Sequence, residues 1–257
     1  MPDFNPNSFI IYRGPSQIDG SPIVVIASGF DSASANSKTG NMIQTWILAD
    51  NGIEPHIAIK DGSASSICGN CRHQGEWNGK KWTTKRTCYV QVHNAPLSVF
   101  RAYKRNRYQT ITDDAGLCSL GANQKLRLGA YGDPMAVPYH IWDSLTRLSS
   151  DVVTGYTHQW QTAGHNSRAL WQRLVMASVD TAAERDEAQA QGWRTFGVIP
   201  TNVAIPKNAI LCPASEQGGR KTNCASCNLC SGTRSKARKS VVIPVNGSGT
   251  NAFNLAA

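Results

Sequence analysis

Long apolar runs are missing from this chain of 257 residues. The longest, around Pro22 to Ala27, falls far short of the ~20 consecutive apolar residues that cross a bilayer as a helix, so a soluble protein with no membrane partner is expected. An export signal is missing too: Met1-Pro-Asp-Phe-Asn has neither a basic start nor an apolar segment, which points to a reducing cytoplasm where thiols stay free. No Gly-rich phosphate loop, paired-histidine metalloprotease motif or nucleophile elbow occurs, and hydrolases and nucleotide-driven motors lose their usual signatures with them. Acidic residues are few, 17 against 26 Lys plus Arg, for a net charge of +9. With 40% hydrophobic and 17% charged residues, a globular core is expected rather than a disordered chain.

Cysteine, by contrast, is abundant. Seven of the eight cysteines fall into two sets: Cys68, Cys71 and Cys88, then Cys212, Cys224, Cys227 and Cys230. Disulfide-stapled chains are short, secreted and loop-rich, so that framework is the weaker explanation at this length. In the later set a cysteine followed by proline stands eleven residues before Cys-Ala-Ser-Cys-Asn-Leu-Cys. Two successive two-residue gaps plus a remote thiolate follow the ligand logic of ferredoxin-type iron–sulfur clusters, where a tight loop wraps three irons and a distant cysteine closes the fourth. The same sulfurs can hold tetrahedral zinc. In the earlier set Cys68 and Cys71 form a C-x2-C pair, Cys88 comes after sixteen further residues, and His73 lies two positions past Cys71. With His73 coordinating, this is a closed Cys3His zinc site. Without it, three thiolates hold a four-iron (4Fe-4S) cluster whose fourth iron stays open to a ligand. Spacing leaves both assignments open. Cys118 belongs to neither set and reads as a plain thiol.

The basic charge is local. Lys80, Lys81, Lys85 and Arg86 lie inside the first cysteine loop, Arg101, Lys104, Arg105 and Arg107 follow it, and Arg220, Lys221, Arg234, Lys236, Arg238 and Lys239 surround the last cysteines. Such segments can bind nucleic-acid phosphates or an anionic substrate, or can simply be solvated surface.

Periodicity gives an α/β chain. Phe9–Arg13, Pro22–Ala27, Met42–Leu48 and Pro55–Ile59 are rich in β-branched and aromatic residues and read as strands, with a tight turn at Asp19-Gly20. A helix is expected from Pro96 to about Tyr108, then a loop from Asp113 to Asn123. Strands at Leu126–Tyr131, Val152–His158, Leu174–Asp180, Thr195–Ile199, Ala209–Cys212 and Val241–Val245 alternate with helices near Tyr139–Leu148 and Ala182–Gln191, the latter capped by Thr181. Repeated strand–helix units imply a parallel sheet and, if they curl, a partial or irregular (β/α) barrel. The expected division is a β-rich appendage over residues 1–55, a barrel-like domain with two cysteine-rich loops over 56–245, and a flexible tail over 246–257. Asp133, His158, Asp180 and Cys212 then each stand at the carboxyl end of a strand, the end where parallel barrels build chemistry. Either aspartate alone reads equally well as a cap; their shared position favours a site.

The chain resembles a family of uncharacterised bacteriophage proteins through Tyr12-Arg-Gly-Pro-Ser, Lys38-Thr-Gly, Ser66-Ile-Cys-Gly-Asn-Cys-Arg-His, Thr87-Cys-Tyr-Val, Leu128-Gly-Ala-Tyr-Gly-Asp-Pro, Gly155-Tyr-Thr-His-Gln-Trp, Met176-Ala-Ser-Val-Asp and Cys212-Pro-Ala-Ser. That resemblance implies a phage-encoded protein in the cytoplasm of the bacterial host. More distantly, the chain is similar to radical S-adenosylmethionine enzymes. Gly132-Asp133-Pro134 occupies the place of their cofactor-contacting Gly-Gly-Glu-Pro segment, and Cys212, Cys224, Cys227 and Cys230 look like an auxiliary cluster. The family's C-x3-C-x2-C spacing is absent, its nearest counterpart being Cys68, Cys71 and Cys88. The resemblance implies a reactive cluster on those three, S-adenosylmethionine against Gly132 and Asp133, and His158 and Asp180 facing substrate. The other reading is a zinc-stabilised nucleic-acid-binding protein of phage replication or host takeover, with Cys68, Cys71, His73 and Cys88 as a structural site. Trp77, Trp82, Tyr103 and Tyr108 would then stack on single strands.

Overall fold

The computed structural model describes residues 4–32, 36–234, 236–237, 239–245, 250–251 and 253. The chain begins as an antiparallel meander of β1 (Ser8–Pro15), β2 (Pro22–Ser28) and β3 (Ile43–Ala49). Ile23 to Ala27 are all buried, as expected of a strand covered on both faces. Next comes α1, Pro55–Asp61, where β-branched content suggested a strand. Pro55 opens its first turn, Ala58 N–H bonds to Glu54 O at 2.9 Å, and burial falls on Pro55 and Ala58 while Ile57 is 44% exposed. The spacing of the buried positions is therefore helical. The first cysteine loop thus follows β3 through a helix.

Helix α2 (Ser65–Cys68) and the hairpin of β4 (Glu76–Trp77) and β5 (Trp82–Thr84) carry the first cysteines. Helix α3 runs over Ala95–Lys104, shorter than expected, and the chain leaves it through Asn106 at φ 52°, a left-handed position that asparagine tolerates. Strand β6 (Gln109–Thr110) pairs in parallel with β1. The stretch expected as a loop after Asp113 contains α4, Asp114–Gly121, capped by the Asp113 side chain. Its glycines depress helix propensity, but packing requires Gly121: a Cβ there would lie 1.7 Å from Leu145 O.

The regular alternation follows, with β7 (Leu126–Tyr131), α5 (Tyr139–Thr146), β8 (Val153–Thr157), α6 (His165–Leu174), β9 (Met176–Val179), α7 (Ala182–Ala190) and β10 (Thr195–Ile199). Thr181 and Glu184 form the capping box of α7. Strand β11 (Ala209–Leu211), helix α8 (Cys224–Cys227) and strand β12 (Ser240–Pro244) complete the elements.

Ten strands join in the order β11-β12-β10-β9-β8-β7-β3-β2-β1-β6, parallel from β3 to β11. From β3 through β7, β8 and β9 to β10 every new strand adds on the same side. Right-handed crossovers then place the connecting helices on one face. On the other face Gln44, Arg127 and Thr154 stand side by side in register, as do Phe196 and Val241, and all five line one cavity. The fold is therefore α/β with a mostly parallel sheet. Among the described residues no pairing joins the edge strands β11 and β6, so the sheet is open. The strands expected as an appendage are continuous with it through β3 and β7 and share one apolar core with the rest. Most of the tail over 246–257 lies outside the described residues. Among them, no helix is long and apolar enough to cross a membrane.

Candidate functional site

The strand ends deliver the expected residues. Asp133 stands two positions past β7, and His158, Asp180 and Cys212 directly follow β8, β9 and β11. The first cysteine set is assembled by backbone pairing. Cys71 N–H donates to Cys68 O at 3.3 Å, and after the hairpin excursion Cys88 N–H returns to His73 O at 3.0 Å. Cys68, Cys71 and Cys88 line a cavity of about 160 Å3 together with His73, His158 and Asp180. In the second set Cys212 N–H pairs with Val242 O, and Cys224 N–H and Ala225 N–H dock onto Lys38 O and Thr39 O at 2.9 and 3.0 Å. Its four cysteines line a larger cavity of about 670 Å3. Tyr89, Tyr156 and Lys38 line both cavities, which therefore adjoin. Cys118 lies on α4 and lines neither.

All eight cysteines are free thiols. Burial pushes the Cys68 thiol well above its ordinary pKa, and neighbouring Cys71 and Cys88 push it further. Burial also raises Cys88 against the pull of Arg86, and raises Cys224 against the pull of Arg127 and Lys38. Cys230 is pushed up to about 12 by burial, although Tyr156 donates a hydrogen bond to it. These groups are neutral thiols unless a cation joins them, and a metal ion inverts that balance by ligating the thiolate. Sulfur donors suit soft metals, but among the described residues no three of these cysteines bring their sulfurs within 4.8 Å of one another. Tetrahedral zinc with Zn–S near 2.3 Å holds its thiolates about 3.8 Å apart. No three of Cys68, Cys71, His73 and Cys88 bring ligand atoms within 4.8 Å of one another. A four-iron cluster spreads its thiolates more widely, because each binds a different iron.

His73 is turned away from the thiols. Its Nδ1 lies 2.7 Å from Thr87 Oγ1 and its Nε2 lies 2.8 Å from Asp180 Oδ1. His158 Nε2 approaches the same carboxylate, 3.6 Å from Asp180 Oδ2, and lies 3.9 Å from Cys71 Sγ. Burial opposes protonation of His158, but Asp180 and Cys71 outweigh it and raise its pKa well above the ordinary value. Burial likewise works against ionised Asp180, and the two histidines overcome it and hold the carboxyl far below the usual range.

Asp133 ties the site together. Its Oδ1 accepts from Met135 N–H at 2.9 Å, its Oδ2 from His158 N–H at 2.8 Å, and its own N–H donates to Ile67 O at 2.6 Å. It is 6% exposed, and burial raises its pKa despite these amides. Both oxygens thus serve the backbone, joining the cysteine loop to the ends of β7 and β8. Gly132 has φ 82°, and a Cβ there would lie 2.7 Å from Ile47 Cβ, so its identity follows from packing.

The sequence reading missed Thr87, Tyr89, Arg127 and Tyr156 as site residues. Arg127 carried a signal, a lone cation between two buried leucines of β7. Phe253 also escaped notice; its ring stacks on His73 at 5.6 Å between centroids and 15° between planes. Of the basic residues, Arg101 pairs with Glu54 at 2.8 Å, whereas Lys80 and Lys81 are exposed at the hairpin tip. No family model, curated protein or solved structure matches the chain.

Proposed function

We propose that the protein is a phage-encoded iron–sulfur enzyme of the radical S-adenosylmethionine type, acting in the cytoplasm of the bacterial host on a partial parallel (β/α) barrel. The observation that carries this reading is the meeting of seven cysteines from distant loops in two adjoining cavities, one at the carboxyl ends of the strands and one over the open face of the sheet. Cys68, Cys71 and Cys88 would hold a four-iron cluster, since His73 is engaged elsewhere, and Cys212, Cys224, Cys227 and Cys230 a second. Such a cluster, when bound, supplies one electron and an open iron position. Tyr89 and Tyr156 line both cavities, while Arg127 and Lys38 offset negative charge beside Cys224. His158 and Asp180 present a polar wall to the substrate. Asp133 positions the His158 backbone.

Anaerobically purified protein is expected to contain iron and acid-labile sulfide. After reduction it should cleave S-adenosylmethionine, one electron and one hydrogen atom giving methionine and 5'-deoxyadenosine, with Cys71→Ala inactive. Zinc alone after anaerobic reconstitution, or no cleavage by fully iron-loaded protein, would refute the reading.

A second reading has one observation in its favour. Trp77 and Trp82 meet edge to face at 5.4 Å on the β4–β5 hairpin, with Lys60 5.0 Å over Trp77. A basic, aromatic hairpin of this kind suits single-stranded nucleic acid, and zinc at the cysteines would then be structural.

A further inference from the structure

We infer that His73, His158 and Asp180 form a separate site for a borderline divalent cation, zinc or iron(II), of the two-histidine, one-carboxylate type. One ligand atom from each lies within 4.8 Å of the other two, and the histidines approach different carboxylate oxygens, His73 Nε2 lying 2.8 Å from Asp180 Oδ1 and His158 Nε2 3.6 Å from Asp180 Oδ2. Ligands 2.0–2.1 Å from a tetrahedral ion stand about 3.3 Å apart, so the observed spacings bracket what a metal requires.

The imidazole of His158 supplies an independent reason. Its Nε2 is held only by long contacts, 3.6 Å to Asp180 Oδ2 and 3.9 Å to Cys71 Sγ, a weak acceptor. A carboxylate that served only to orient His73 would need no second histidine directed at it. A cation placed among the three atoms satisfies them all.

The surroundings resemble the support that metal ligands receive. Thr87 Oγ1 holds His73 Nδ1 at 2.7 Å, which leaves Nε2 for the ion. The backbone of Asp180 is fixed by Glu184 Oε2 at 2.6 Å, and that of His158 by Asp133 Oδ2 at 2.8 Å. Phe253 covers the His73 ring. His73 is 8% exposed and the Asp180 side chain 5%. Imidazole and carboxylate together select zinc, iron(II) and related ions rather than magnesium or calcium. Three protein ligands leave a coordination position open, the layout of catalytic rather than structural ions. That position faces the cavity shared with Cys71 and Cys88, so it would take an oxygen or nitrogen of a substrate brought to the cysteines. The site does not depend on what the cysteines bind.

The test uses cobalt(II) as the probe on full-length, chelator-treated protein under anaerobic conditions. Besides any cobalt that the cysteines take as thiolate complexes, wild type is expected to bind one equivalent that shows visible ligand-field bands without near-ultraviolet thiolate-to-cobalt absorption. Asp180→Asn and His158→Ala should each lower the affinity of that equivalent by more than ~100-fold, beyond the usual cost of losing an outer-shell partner, while Cys68→Ser keeps it. Thermal unfolding checks that the nearly isosteric Asp180→Asn still folds. Thr87→Val should lower affinity about 10-fold through the lost support of His73. Equal affinity for that equivalent in Asp180→Asn and wild type, or its loss in Cys68→Ser, overturns the inference. Iron and acid-labile sulfide are measured separately, so their absence bears on the cluster reading alone.

Discussion

Asp133 offers the sharpest check on how the strand ends are held together. Asp133→Ala removes the acceptor of two backbone amides, Met135 N–H and His158 N–H, at a position only 6% exposed. A hydrogen bond to a charged group contributes about 1.5–3 kcal/mol, and buried donors left without a partner cost their desolvation. Two such bonds give about 3–6 kcal/mol. Burial of the carboxylate itself is unfavourable, as its raised pKa shows, and this offset brings the expected net loss to about 2–4 kcal/mol. For a chain of this size each kcal/mol moves the unfolding midpoint by about 2–4 °C, so the variant should melt about 5–15 °C lower. Asp133→Asn keeps one acceptor but turns an amide N–H towards the other backbone N–H, and should lose more than half as much. Thermal unfolding followed by circular dichroism reads both. A midpoint within about 2 °C of wild type for Asp133→Ala would show that water or another side chain satisfies these amides and that Asp133 is free for another role.

Gly121→Ala places a methyl group against Leu145 O, 1.7 Å away before relaxation, so α4 and α5 must separate; a loss at or above about 3 kcal/mol is expected, and denaturant unfolding at wild-type stability would refute that packing. Tyr103 is pushed up to about 12 from 10.0 by burial and by the hydrogen bond it donates to Asp50. Its folded pKa exceeds the unfolded one, so its stabilisation is complete below pH 10 and lost as pH rises towards 12; Tyr103→Phe should flatten the stability profile over that interval, and an unchanged profile counts against the contact. If the hairpin binds single strands, Lys80→Ala with Lys81→Ala should reduce the salt dependence of binding by about 1.4, from about 0.7 per phosphate contact, whereas Arg101→Ala, already paired with Glu54, should leave it unchanged. Removing metal under reducing conditions should lower the unfolding midpoint, because a ligand present at 100 times its Kd contributes about 2.7 kcal/mol; verified metal loss without a shift would show that the thiols bear no folding energy.

What the sequence revealed is what short-range periodicity encodes. Strands such as Thr195–Ile199, and the capping box at Thr181 and Glu184, are local patterns, and the structure contains both. The placing of Asp133, His158 and Asp180 at strand ends followed from the same patterns, since a polar residue that ends an apolar run marks where a strand leaves the sheet. Elements whose identity depends on distant packing were misread. In α1 the β-branched Ile57 and Ile59 were misleading because solvent, not the core, covers Ile57. In α4 the small and polar composition read as a loop, yet Gly121 is what allows α5 to approach. The partners of His73 were beyond reach for a different reason. Its proximity to Cys71 suggested a shared metal, yet the fold joins it to Thr87 and to Asp180, fourteen and 107 residues away.

Charge sets the state of the two cysteine sets when no ligand is bound. Seven thiols in two adjoining cavities are stable when protonated, and Cys68, Cys88, Cys224, Cys227 and Cys230 all have raised pKa values from burial. Apolar residues would fill the same volume at lower cost, because a thiol adds reactivity without adding packing. The cations nearby are Arg86 beside Cys68 and Cys88, with Arg127 and Lys38 beside Cys224. Those side chains lower the thiol pKa values, an influence that favours thiolate and has no use for a neutral sulfur. Burial outweighs them at each of these sulfurs, so the cations lessen the rise in pKa without reversing it.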